Sequence, residues 1–202
     1  MPSSSIISTT SISLLRHGDV EGGACYRGIT DDPLTDLGWQ QMQYSIEQRN
    51  SNWDIIISSP LLRCFAFAQH LSSSLNIPAI SHPELQEINF GDWEGKTAEQ
   101  IDAQSLALFY ADPSKNPPPN GETFTAFQAR ILLTWQSLLQ RHSGKNILLI
   151  SHAGVIRVIL ANILALDTEH SFKLKIGHAC VSRVECIHSN ESKDFFQLIS
   201  HG

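Results

Sequence analysis

The chain is short of cations. It carries 14 Lys+Arg against 20 Asp+Glu, a formal net charge of −6 with every His neutral, and that balance excludes nonspecific attachment to nucleic acid or to an anionic membrane. Cysteine is also scarce. Cys25, Cys64, Cys180 and Cys186 form no C-x-x-C pair, which fits neither a zinc knuckle nor a dense disulfide framework, so reduced thiols in a cytoplasmic protein are the expectation. No H-E-x-x-H and no carboxylate-flanked His cluster stands out, so no metal or other cofactor is expected. No Lys or Arg precedes Arg16, so the opening MPSSSIISTTSISLL lacks the basic region of a secretory signal and reads as a loose polar leader running into a strand. Residues 147–166 approach the length that spans a bilayer, about 20 apolar residues, but Ser151, His152 and Arg157 interrupt them. There is no internal repeat.

What is present is the composition of a folded domain. Hydrophobic residues make up 42% and charged residues 17% of 202, enough for one well-buried domain, at most with a small cap. Strand-like apolar runs alternate with helical periodicity, which predicts an α/β three-layer sandwich: a mostly parallel central sheet with helices on both faces. Strands are expected at 12–15, 54–58, 146–151, 172–175, 180–187 and 195–200, with a turn near Ser189-Asn190. Helices are expected at 35–48 with Thr35 as N-cap, at 61–72 with Ser59 as N-cap and Pro60 in first position, and at 155–164. Phe124, Phe127, Ile131, Trp135 and Leu138 recur at helical spacing and mark a long amphipathic helix. Pro113, Pro117, Pro118, Pro119, Asn120 and Gly121 break up the middle of the chain, so about 97–121 reads as a cap-like insertion in a single domain of 1–202.

The chemistry-bearing residues sit at strand ends. Arg16-His17-Gly18 and Ser151-His152-Ala153-Gly154 each place a His after an apolar strand and before a Gly. Ligands of open α/β sheets bind outside the carboxyl ends of strands, at the topological switch point. A helix following His152 offers free N–H groups to an anion. Arg63, in the first turn after another strand, leans back toward the same rim, where with Arg16 it would make a forked clamp suited to phosphate oxygens. Taken singly, each of these residues has an ordinary structural use. Their joint placement points to a site.

Arg16-His17-Gly18, Asp32-x-Leu34-Thr35-x-x-Gly38, Ser58-Ser59-Pro60-x-x-Arg63, Glu87-Ile88-Asn89-Phe90-Gly91-Asp92-Trp93-Glu94-Gly95 and Ser151-His152-Ala153-Gly154, in that order along nearly the whole chain, resemble the histidine phosphatase superfamily, the phosphoglycerate-mutase-like fold. The resemblance implies a phosphomonoesterase acting on a small phosphorylated metabolite without metal. His17 would be the nucleophile, Glu87 the general acid, and Arg16, Arg63 and His152 the holders of the phosphoryl group. Asp92 and Glu94 are alternatives for the acid.

The opening departs from the family's R-H-G-E-T pattern: here it runs Asp19-Val20-Glu21-Gly22-Gly23, so Gly23 stands where a phosphate-contacting Asn is common and a backbone N–H is the candidate replacement. Ala153, Tyr26 and His178 are further substrate-binding candidates. Trp93, Phe109 and Tyr110 are candidates with Tyr26 for an aromatic wall, Phe109 being better suited to packing. Of the other histidines, His142 ends the long helix, where the dipole favours a cation, and His70, His82, His170, His188 and His201 are assigned no role in the site. Pro119-Asn120-Gly121-Glu122, Phe127 and Arg130 are similar to the α-ribazole phosphatase branch of the family. A broad-specificity or sugar-phosphate phosphatase and a catalytically inactive, phosphometabolite-binding relative are the alternatives, with a metal-dependent hydrolase as the third.

Overall fold

A computed structural model describes residues 8–49, 52–189 and 193–202; the leader at 1–7 and Asn190 of the expected turn lie outside them. The strands are β1 (Thr9–Arg16), β2 (Ile55–Ser58), β3 (Ala79–Ser81), β4 (Asn146–Ser151), β5 (Val181–Ile187) and β6 (Phe195–His201), joined in one sheet of order β3-β2-β4-β1-β5-β6. The first four in that order run parallel, while β5 is antiparallel to both β1 and β6. Alternation along the central strands feeds two cores. Ile12 and Leu14 of β1 join Ile147 and Leu149 of β4 beneath α4 (Phe124–Arg141) and α5 (Ala153–Ile163). Leu15 of β1 joins Leu148 and Ile150 of β4 on the other face, under α1 (Asp36–Glu47) and α2 (Leu62–Leu75).

β1 and β4 are therefore neighbours whose following helices, α1 and α5, leave to opposite faces. That divergence opens the switch-point crevice at their carboxyl ends. The register pairs Arg16 with Ser151, so His17 and His152, one residue further on, emerge side by side.

The segment between β3 and α4 is irregular apart from short 3-10 turns and α3 (Ala103–Ala111). Trp93, Ile101 and Phe109 pack there as a small separate core with Tyr26, Phe90 and Leu106 against it. α6 (Thr168–Ser171) precedes β5.

Two expectations are corrected. Residues 172–175 form no strand, because Phe172 turns inward to stack on Tyr110 and Phe124 and lies under the Arg157 guanidinium. Ser59 does not cap α2, and Pro60 is not its first residue. The helix begins at Leu62, whose N–H is met by Asp31 Oδ1 at 2.5 Å, while the Ser59 hydroxyl accepts from Leu61 N at 3.3 Å ahead of the helix and lies 2.7 Å from His152 Nε2. His142 is the C-cap of α4, ending that helix as expected, while burial, with Arg141 and Lys145 beside it, lowers its pKa. Thr35 caps α1 as expected, accepting from Gly38 N at 2.9 Å.

Candidate active site

The loop leaving β1 is fixed by backbone contact with α1. A Cβ on Gly18 would collide with the Gly38 backbone, and one on Gly38 with that of Asp19, so both positions require the smallest residue. The Thr35 hydroxyl donates to Asp19 Oδ2 at 2.9 Å, and Thr35 N donates to Asp19 O at 3.1 Å. This clamp turns His17 over the sheet, where its Nδ1 lies 2.8 Å from Gly18 O. A carbonyl can only accept, so Nδ1 carries the proton and Nε2 keeps its lone pair. Burial, then Arg16 and Arg63, push the His17 pKa well below the usual imidazole value. The ring is held neutral and ready to act as a nucleophile.

His152 lies beside it, ring centroids 5.3 Å apart. It is fully buried. Its Nε2 lies 2.7 Å from Ser59 Oγ, and its Nδ1 accepts from Arg63 Nε at 3.3 Å, which places its proton on Nε2. Burial and Arg63 lower its pKa too.

Arg63 is fully buried as well. Its Nη1 and Nη2 donate at 2.6 Å to the carbonyls of Thr30 and Gly28. Those carbonyls belong to a loop gathered on the Glu94 carboxylate, which accepts from the amides of Gly28, Ile29, Thr30 and Phe90 at 2.9–3.1 Å and from the Thr30 hydroxyl. That set of donors lowers the Glu94 pKa against the opposing effect of burial. Glu94 is committed to shaping the loop. Asp92 is bridged to Asn120 Nδ2 at 3.1 Å.

A cavity of about 470 Å³ opens over His17, within the size range of small-molecule sites. Arg16, Gly23, Tyr26, Glu87 and His178 of the expected residues line it; Arg63, His152 and Ala153 do not, the first two being fully buried. Arg16 donates to Ile176 O at 2.8 Å and keeps a buried Nε without a partner.

Glu87 is buried at the first turn of α5. Ile88 N donates to its Oε1 at 3.0 Å and Gly154 N to its Oε2 at 2.9 Å, and a Cβ on Gly154 would strike the carboxylate. Its backbone is pinned by Arg130, which donates to the carbonyls of Glu84, Gln86 and Glu87 at 2.7–3.1 Å and is itself forked onto Glu122 at 2.7 and 2.9 Å. Neither Asp92 nor Glu94, the alternatives to Glu87, reaches the cavity wall.

The sequence reading missed Arg27, a second cation on the cavity wall, oriented by Asp32 at 2.7 Å. An arginine inside an otherwise small, glycine-rich loop is the signal that points to it. Tyr110 of α3 closes the far side, its hydroxyl 2.9 Å from that of Tyr26. Trp93 and Phe109 pack in the small core instead. His178 stands 5.8 Å from the His17 ring and 3.9 Å from Asp19. Among the described residues, no helix is long and apolar enough to cross a membrane.

Residues 12–197 match the profile of the histidine phosphatase superfamily (branch 1). The adenosylcobalamin/alpha-ribazole phosphatase of Escherichia coli K12 is 29% identical over 178 residues, covering 85% of this chain and 88% of that one. Among solved structures, the alpha-ribazole phosphatase of Shigella flexneri superposes with a TM-score of 0.78 at 28% identity, covering 93% and 95% of the two chains. The mycobacterial glucosyl-3-phosphoglycerate phosphatase superposes with a TM-score of 0.80 at 25% identity, covering 95% and 97%.

Proposed function

Since the chain belongs to the histidine phosphatase superfamily and is a phosphatase, we propose that it hydrolyses a small phosphomonoester through a phosphohistidine on His17, with no metal in the reaction. The observation that carries this is the His17 tautomer: Nδ1–H fixed on the Gly18 carbonyl leaves Nε2 as a lone-pair nucleophile on a cavity that Arg16 and Glu87 also line.

In the first step Nε2 attacks phosphorus, the ester P–O bond breaks, and Glu87 gives its proton to the departing alkoxide. In the second, Glu87 takes a proton from water, the water oxygen attacks phosphorus, and the P–N bond breaks to release phosphate. Transferring phosphoryl groups need positioning and a field on their equatorial oxygens more than further covalent help. Arg16 supplies part of that field. Arg63 spends three of its five N–H groups on protein, leaving one on each terminal nitrogen for the phosphoryl group, and His152 adds its Nε2–H by exchanging Ser59 for a phosphoryl oxygen. Gly23, Tyr26 and His178, which line the cavity, serve substrate binding, Gly23 through its backbone.

For the substrate we favour α-ribazole 5′-phosphate, supported by the likeness to alpha-ribazole phosphatases and by a cavity that sets Tyr26 and Tyr110 beside the cationic pair Arg16 and Arg27. A broad-specificity or sugar-phosphate phosphatase is the second reading, favoured by the equally good superposition on a glucosyl-3-phosphoglycerate phosphatase.

The test is in two parts. p-Nitrophenyl phosphate should be hydrolysed unchanged in EDTA through an acid-labile, base-stable phosphoenzyme, and His17→Ala should lose at least about 10³-fold in kcat, a loss comparable with removing an activated nucleophile. Full turnover by His17→Ala overturns the mechanism. A kcat/KM panel over α-ribazole 5′-phosphate, fructose 2,6-bisphosphate, phosphoglycerates and a phosphopeptide then decides the substrate. Preference for the first below about tenfold, about 1.4 kcal/mol of discrimination, leaves the broad reading.

A further inference from the structure

We propose that Cys186, His188 and Asp194 form a binding site for a zinc-like divalent transition-metal ion, at the end of the sheet opposite the cavity. Cys186 and His188 lie at the outgoing end of β5, and Asp194 immediately precedes β6, so the hairpin brings a thiol, an imidazole and a carboxylate to one point.

The spacing is the central observation. Cys186 Sγ lies 3.8 Å from His188 Nδ1 and 3.6 Å from Asp194 Oδ2, and those two are 3.1 Å apart. A tetrahedral zinc ion with bonds of about 2.3 Å to sulfur and about 2.0–2.1 Å to nitrogen and oxygen sets its ligands about 3.6 Å apart across sulfur and about 3.3 Å apart otherwise. The three atoms thus already stand near the corners of one face of such a tetrahedron.

The support is also in place. His188 Nε2 lies 2.7 Å from Thr10 Oγ1, a fully buried hydroxyl that also accepts from Gly144 N at 2.9 Å. Without metal the Asp194 carboxylate can only accept, so Nδ1 carries the ring proton; on binding that proton passes to Nε2, which donates to the Thr10 hydroxyl as the outer partner of a ligating histidine, and the Nδ1 lone pair turns to the metal. Cys186 is fully buried, whereas the His188 and Asp194 side chains are 17% and 37% exposed. The site is therefore open to solvent, from which water would supply the fourth ligand. The mixed sulfur, nitrogen and oxygen donors suit zinc rather than calcium or magnesium, which take oxygen.

Without metal, the Cys186 thiol donates to Asp194. Binding expels this one proton to solvent. The resulting thiolate and carboxylate balance the charge of a divalent ion. Cys186 pairs with Thr10 at the start of β1, six residues before Arg16, a distance of about 20 Å along the strand. The site thus lies apart from the phosphatase cavity.

The probe is Co²⁺, titrated at fixed pH into the chelator-treated, desalted full-length protein. One equivalent should bind with a thiolate-to-cobalt charge-transfer band that Zn²⁺ removes by competition. Cys186→Ser should abolish the band. Asp194→Asn alters a partly exposed carboxylate and should raise the Co²⁺ dissociation constant at least tenfold while leaving p-nitrophenyl phosphate turnover unchanged. A wild-type protein that shows no band overturns the proposal. So does an Asp194→Asn protein of unaltered affinity, or a band that persists in Cys186→Ser, which would trace it to another thiol.

Discussion

Two carboxylates seven residues apart do different work, and their surroundings say which is which. Glu87 presents each oxygen to a single backbone N–H beside the cavity, and so keeps lone-pair capacity for the proton it gives to the leaving group and regains from water. Glu94 spends both oxygens on the loop whose Gly28 and Thr30 carbonyls accept from Arg63. Substitution should separate them. Glu87→Gln is expected to cost about 10²–10⁴-fold in kcat on an alkyl phosphate, the range for a lost general acid, and far less on p-nitrophenyl phosphate, whose leaving group needs little protonation. Glu94→Gln should slow both substrates by the same factor and lower the melting temperature, because an uncharged amide cannot accept all of those donors. Equal loss on the two esters in Glu87→Gln would remove it as the acid.

At the scale of elements, the glycine pair that lets the β1 loop meet α1 is the least replaceable junction. Gly18→Ala or Gly38→Ala drives a methyl into backbone, with no flexible side chain to yield, so each should destabilise by about 2–4 kcal/mol in denaturant titrations. A loss within about 0.5 kcal/mol would mean that the loop simply moves away. These contacts also explain what was legible in the sequence. The strand ends at Arg16 and Ser151, the Thr35 cap and the meeting of His17 with His152 follow from local signals: apolar runs, a capping hydroxyl, a glycine soon after each histidine; Glu87 carries no such signal and is reached only through the family resemblance. The start of α2 was hidden because its cap, Asp31, comes from a different segment and its apparent cap, Ser59, meets Leu61 N ahead of the helix, and His152. Residues 172–175 alternate like a strand, yet long-range stacking of Phe172 decides their path. The three-residue β3 is too short to leave a pattern. Glu122 and Arg130, which carry the likeness to one branch of the family, brace the Glu87 backbone and stay off the cavity wall. They report on scaffold more directly than on substrate, and for that reason the substrate rests on a kinetic panel.

Across the whole molecule, folding depends on keeping two imidazoles uncharged. Both His17 and His152 have folded-state pKa values below the ordinary value near 6.5 because they are buried beside arginines. Below about pH 6.5 the unfolded chain binds protons that the folded chain refuses. The stability they contribute is therefore complete above that pH and is lost as pH falls toward their folded values, at up to about 1.4 kcal/mol per pH unit for each. The melting temperature should drop between pH 7.5 and 5.5, and less steeply in His17→Asn; parallel slopes would contradict this. Turnover should persist below pH 6.5, where free imidazole is already largely protonated, because His17 stays neutral. The pairing of Arg16 with Ser151 carries a further consequence, for amide exchange. The His17 N–H is bonded to Ser151 O at 3.0 Å between the two central parallel strands, so its hydrogen should be replaced by deuterium only when the sheet itself comes apart, while amides of α3 exchange through small local openings. The backbone that bears the reacting ring would then be as slow to move as the deepest part of the fold, and adaptation to a new ester would fall to the wall that faces it.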